Sequence, residues 1–169
     1  MQLKRAQRFE ELIVYQKVRA LSRDIFEVSK RFPREETYSL VDQIRRASRS
    51  IGAHIAEAWG KRRYPKNFIS KLTDADSEQL ETQHRIATAQ DCNYLGPEEA
   101  VRFQAACEEV GRMLGALITR MESAYSEMPR KVEEEVAPYE ASPWNRFIQE
   151  DDFEAQPNSA EKSMHAQQK

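Results

Sequence analysis

Residues 43–63 read QIRRASRSIGAHIAEAWGKRR. Taken with Leu40, the apolar positions step through Leu40, Ile44, Ala47, Ile51, then His54 or Ile55, then Ala58, before Gly60 marks an end. Steps of three and four place one stripe on a helix, whereas a strand would alternate every second residue. The preceding segment repeats the pattern at Val14, Val18, Leu21, Ile25, Val28 and Phe32, and Pro33 is expected to stop it. Ser39, three residues before Asp42, is a start signal of capping-box type for the second helix.

Two further helices follow from the same reading. The third is expected from Pro65 to about Asn93, with a stripe at Phe68, Leu72, Ala75, Gln79 or Leu80, and Ile86 or Ala87. Gly96-Pro97 then breaks the chain and opens a fourth helix, expected to bury Val101, Ala105, Val110, Met113, Leu114, Leu117, Ile118 and Met121. Short connections between long helices make neighbours antiparallel. The predicted fold class is all-α: an antiparallel up-down-up-down four-helix bundle, residues 1–128, with a largely disordered C-terminal tail, residues 129–169. That tail is acidic, contains Pro138, Pro143 and Pro157, and holds one aromatic island, Trp144, Phe147 and Ile148, with the character of a partner-docking segment.

Composition narrows the function classes. No run approaches the ~18 apolar residues of a membrane span, so no membrane partner is expected and the cytoplasm is the default compartment. Cys92 and Cys107 have no metal-ligand companions nearby and read as two buried or half-buried thiols without a disulfide. Glu81 and His84 have the Glu-x-x-His spacing of di-iron bundles, but no second such motif occurs, so neither metal nor cofactor is expected. The net charge of −2 hides an asymmetry. Residues 1–66 carry 16 Lys+Arg against 8 Asp+Glu, whereas residues 67–124 and 125–169 each carry 5 against 10. The basic half suits a polyanion, and equally an acidic face of the same chain or of a neighbouring subunit.

Within that half, Arg45, Arg46 and Arg49 lie along the second helix. Lys61, Arg62, Arg63 and Lys66 surround Tyr64 in the following turn. Such cations make salt-sensitive phosphate contacts, and a tyrosine among them can stack on an unpaired base. Arg49 and His54 together resemble the arginine–histidine pair of HEPN-type ribonucleases, which are also helical bundles. Five residues along a continuous helix turn two side chains about 140° apart, which opposes a shared phosphate.

Several blocks of the chain resemble the bacterial four helix bundle protein family: Phe32-Pro33, Glu36-x-Tyr38-x-Leu40, Gln43-Ile44-Arg45-Arg46-Ala47, Ser50-Ile51 and Ile55-Ala56-Glu57. Phe68-Ile69, Leu80-Glu81-Thr82-Gln83 and Gly111-Arg112-Met113-Leu114 follow in the same order, so the likeness spans roughly residues 9–123. Members are encoded within intervening sequences of large-subunit ribosomal RNA genes, and include the accessory variability determinant of diversity-generating retroelements. The resemblance implies a non-enzymatic homo-oligomer, a ring-shaped homopentamer in the retroelement members. It implies binding of a reverse transcriptase and its RNA through basic positions that here are Arg45, Arg46, Lys61, Arg62 and Arg63. The chain departs from the family at His54 and Ala58, where asparagine and glycine are common, and at Asp74, Asp76 and Gln79. The expectation is a non-catalytic accessory protein holding a reverse transcriptase or other protein client and RNA or DNA. The alternatives are a HEPN-like nuclease using Arg49 and His54, or a protein-only adaptor.

Overall fold

The structure, a computed structural model, describes residues 6–126. Four long helices carry the fold: α1 (Ile13–Ser29), α2 (Leu40–Gly60), α3 (Pro65–Asp91) and α4 (Pro97–Ser126). Single-turn 3-10 helices at Phe9–Glu11 and Arg34–Glu36 precede α1 and α2. No strand occurs among the described residues.

The stripes read from the sequence are the seam. Val14, Val18, Leu21, Ile25 and Val28 of α1 are buried, as are Leu40, Ile44, Ala47, Ile51, Ile55 and Ala58 of α2. One apolar cluster joins the start of α1 and end of α2 to the start of α3 and end of α4, through Val14, Ile55, Leu72 and Leu117 among others. A second joins the opposite helix halves, through Ile25, Ile44, Ile86 and Phe103. That division is compatible with the up-down-up-down order.

Local chemistry sets the helix ends, and the end of α1 lies short of its expected place. α1 stops at Ser29, not at Pro33. Lys30, Arg31 and Phe32 each donate to the carbonyl three residues back, so the last turn tightens and still delivers Phe32 to the core. Ser39 precedes α2 but makes no side-chain cap. Glu36 does this work instead: its Oε2 accepts from the Leu40 amide at 3.2 Å, and its Oε1 accepts from the Tyr94 hydroxyl at 3.2 Å. α3 is ended by Asn93 before the chain reaches Gly96. Asn93 adopts φ 60°, and the Tyr94 and Asn93 amides return to the Ala89 and Gln90 carbonyls at 2.8 and 2.9 Å. This is a Schellman closure with asparagine in the left-handed position.

Three seam candidates, Val101, Ala105 and Leu80, are exposed, and of the pair Gln79 or Leu80 the glutamine takes the seam. In α4 the first turns bury Ala100, Phe103 and Cys107, leaving Val101 67% exposed and Ala105 exposed. A Val101–Ala105 register would have turned Phe103 to solvent, so the larger ring decides. In α3 the seam takes Gln79 and Thr82 while Leu80 stays exposed. Thr82 donates to the Glu78 carbonyl at 2.8 Å. Gly111 of α4 makes room for the glutamine, since a Cβ there would sit 2.9 Å from Gln79 Oε1.

Ion pairs connect neighbouring helices at the rim. Lys17 reaches Glu109 at 2.8 Å, and Arg31 reaches Glu99 at 2.6 Å. Lys71 lies 3.0 Å from both Glu57 and Asp74. Its hydrogen bonds hold both carboxyls below their ordinary values, and the ammonium is raised in return. Cys107 is buried on α4 and its thiol is pushed up to about 12 by burial, whereas Cys92, expected to be at least half-buried, is exposed.

Three tests follow from this packing. Phe103→Ala should cost ~3–5 kcal/mol in urea unfolding, while Val101→Ala should stay within ~0.5 kcal/mol. For the Lys71 cluster, depressed carboxyl pKa values mean stabilisation that is complete above the unfolded values and lost as pH falls through the folded ones. The urea midpoint should therefore fall as pH drops below about 4.5, and fall less steeply in Lys71→Met. A thiol reagent at mildly alkaline pH should label Cys92 rapidly and Cys107 only after denaturation.

Candidate nucleic-acid interface

The candidate residues fall into two groups at different heights on the bundle. Arg45, Arg46 and Arg49 occupy the first half of α2. Lys61, Arg62, Arg63, Tyr64 and Lys66 occupy the α2–α3 turn and the first turn of α3. Arg49 and Lys61 are separated by twelve residues, ~18 Å of helix.

The upper group depends on the closeness of α1 and α2. Small residues meet there: Ser22 Oγ donates to the Ser48 carbonyl at 2.6 Å, and a Cβ on Gly52 would touch Val18 and Tyr15 at 3.4–3.5 Å. Phe26 of α1 is left half-buried at the edge of this contact. Arg45 reaches across to it, its guanidinium 4.7 Å from the ring centroid and its Nε donating to Ser29 Oγ at 2.8 Å. Ser29 is itself buried and donates to the Phe26 carbonyl at 3.1 Å. One turn along, Arg49 lies over the same ring at 5.7 Å, and Lys30 approaches it at 4.6 Å. Arg46 points outward, 77% exposed, and meets Asp42 at 3.8 Å.

The lower group is less uniform. Arg62, expected on the surface, is only 5% exposed. Its Nη1 donates to the Trp59 carbonyl at 2.6 Å, and its guanidinium stacks 4.4 Å from the Trp59 ring. A cation on a carbonyl of the last turn suits a helix C-terminus. Burial, with Arg63 beside it, lowers the Arg62 pKa. Arg63 is half-buried, Lys61 and Lys66 are exposed, and Tyr64 is 48% exposed. The Lys66 ammonium lies 5.5 Å from the Tyr125 ring.

Arg49 and His54 are not brought together. Arg49 faces Phe26 on the α1 side, whereas His54 flanks the seam on the α3 side, its Nδ1 3.8 Å from Glu57 in the Lys71 cluster. Of the two residues that the stripe allowed here, Ile55, 1% exposed, takes the seam position and His54 does not. Among the described residues no group of His, Cys, Asp and Glu is placed to hold a metal, Glu81 and His84 included; Glu81 pairs with Arg85 at 3.2 Å. No helix there is long and apolar enough to cross a membrane. The docking island Trp144, Phe147 and Ile148 lies outside the described residues.

Phe26, Ser29 and Lys30 were not singled out by sequence reasoning. The available signal was Phe26 standing one residue off the seam position Ile25.

Comparison with known proteins agrees with this architecture. One similar solved structure, at 1.70 Å resolution, is that of a protein with unknown function from the S23 ribosomal protein family from Bacteroides thetaiotaomicron VPI-5482. It is 26% identical, with a TM-score of 0.59 over 63% of this chain and 96% of that one. No curated protein matches this chain. Residues 10–116 match the 23S rRNA-intervening sequence proteins, and with well over half its length inside that match the chain belongs to this family.

Proposed function

We propose that the chain is a non-catalytic accessory protein that assembles into a homo-oligomer and holds RNA or DNA, together with a protein client such as a reverse transcriptase. The observation that carries this reading is the pair Arg45 and Arg49, stacked on Phe26 at the surface of α2. Some basic side chains elsewhere on the rim are answered by carboxylates, Lys17 by Glu109, Arg31 by Glu99 and Arg85 by Glu81, whereas others, such as Arg19 and Arg112, are not answered among the described residues; Arg45 and Arg49 differ in sharing one aromatic ring. Among the described residues no carboxylate stands within 4.0 Å of Arg45 or Arg49. Uncompensated guanidinium groups attract polyanions, and their forked donors suit phosphate better than ammonium does. The reverse transcriptase and the ring of subunits come from the family resemblance.

Assembly matters to the reading because two or three phosphate contacts per chain bind weakly. Several copies acting on one strand convert weak contacts into avid binding. A nuclease reading gains no support from the site, since a continuous helix directs Arg49 and His54 to different flanks.

The test combines light scattering with fluorescence anisotropy of labelled RNA. An oligomer should bind RNA at about 50 mM salt, lose most of that affinity by about 200 mM, and leave the RNA intact. A strict monomer with no binding at the lower salt would sink the proposal. A protein client that co-purifies without nucleic acid, from a chain that binds no RNA, would replace it with the adaptor.

A further inference from the structure

We infer that the groove edge between α1 and α2 is a built phosphate site, in which Phe26 and Ser29 of α1 hold Arg45 and Arg49 of α2 ready for the phosphodiester backbone of a nucleic-acid strand. This rests on the nucleic-acid reading above and adds to it the atoms, the second helix and the kind of contact.

The geometry supplies the argument. An exposed arginine ordinarily samples many rotamers, and ordering it on a ligand opposes binding. Arg45 is already ordered: its Nε is committed to Ser29 Oγ, and its plane lies over Phe26. The buried Ser29 hydroxyl is in turn fixed on the Phe26 carbonyl. With Nε committed inward, the two terminal nitrogens of Arg45 remain as its outward donors. Arg49, exposed and one turn further along α2, stands over the same ring. Two guanidinium groups over one ring present their donors from the same edge of the bundle, where an anionic backbone can meet both.

Charge points the same way. Lys30 is already answered by Glu27 at 2.7 Å, so the unanswered charge is that of the two guanidinium groups. Cation–π contact with the ring offsets only part of their mutual repulsion. An anion between them removes the rest. The ring is already covered by the cations, so it is not a platform for a base. Contact at this place is consequently with the backbone, and independent of base identity.

The full-length Arg45→Gln/Arg49→Gln protein tests this, with circular dichroism confirming the helices and fluorescein-labelled oligouridylate and oligoadenylate as probes. Wild-type protein should bind both probes about equally. Loss of two phosphate contacts should flatten the salt slope by ~1.4 in log–log form. Phe26→Leu, which keeps both charges but removes the ring, should weaken binding about two- to fivefold. The Arg45 and Arg49 Nε–H resonances provide a readout on the site itself. They should move with oligouridylate at concentrations where inorganic phosphate leaves them unmoved. Wild-type binding with an unchanged slope in the double variant, or resonances that respond only to free phosphate, would overturn the site and leave the broader reading standing. Wild-type protein that binds neither probe removes both.

Discussion

A helix with a single apolar stripe gains stability only by burying that stripe against another, and here four helices depend on that one constraint. Its hold is visible where it overrides local preference. α4 turns Val101 to solvent so that Phe103 and Cys107 can enter the seam, and α1 gives up its last helical residues yet still keeps Phe32 inside. The seam also sets the distance between α1 and α2. Because Ser22, Ser48 and Gly52 are the residues that meet there, the helices lie close enough for an α2 arginine to reach an α1 serine. The candidate surface is thus a by-product of core geometry. A larger residue at Gly52 would press on Val18 and Tyr15, and spreading α1 from α2 would draw Arg45 off Ser29 without touching either residue.

α3 meets the same constraint with poorer material. Its seam includes Gln79 and Thr82, and both sit fully inside the bundle. Threonine satisfies its hydroxyl on its own helix, and glutamine is accommodated by the missing side chain of Gly111. Burying polar groups costs stability relative to an apolar pair of the same shape. What such a layer contributes is specificity, because a helix shifted by one turn would lose the match between the amide and the glycine. On the outer flank Lys71 ties α3 to Glu57 of α2, and the polar character of this helix is spent on fixing its position.

Much of this was legible before the structure. Stripes of three and four along α1 and α2 fixed those helices and their seam, because periodicity over several turns averages out single exceptions. Ends were less legible. A serine before α2 and a glycine after α3 are common signals, yet Glu36 and Asn93 perform those functions, each through partners several residues away. The site was legible in half. Arg45 and Arg49 were apparent as basic residues one turn apart, but nothing in α2 announces the phenylalanine beneath them. Contacts between helices are products of packing, and sequence reports them only through the stripe that brings the helices together.

Arginine identity alone is therefore a poor guide to role in this bundle. Arg62 and Arg45 each stack on an aromatic ring and each bond inward, but their surroundings separate them. Arg62 donates to a carbonyl at the end of α2, where the helix dipole already presents negative charge, and it is buried there. Its charge is consumed by the fold. Arg45 bonds to a neutral hydroxyl midway along the helix, with a second guanidinium nearby and no carboxylate to answer either. Lys17 and Arg31, by contrast, each have an acid beside them. Local choices that work against stability while the rest of a structure favours it tend to mark functional sites. On that ground the α1–α2 surface stands first as the proposed place to meet an anion, with the exposed lysines of the run at residues 61–66 as a second basic surface.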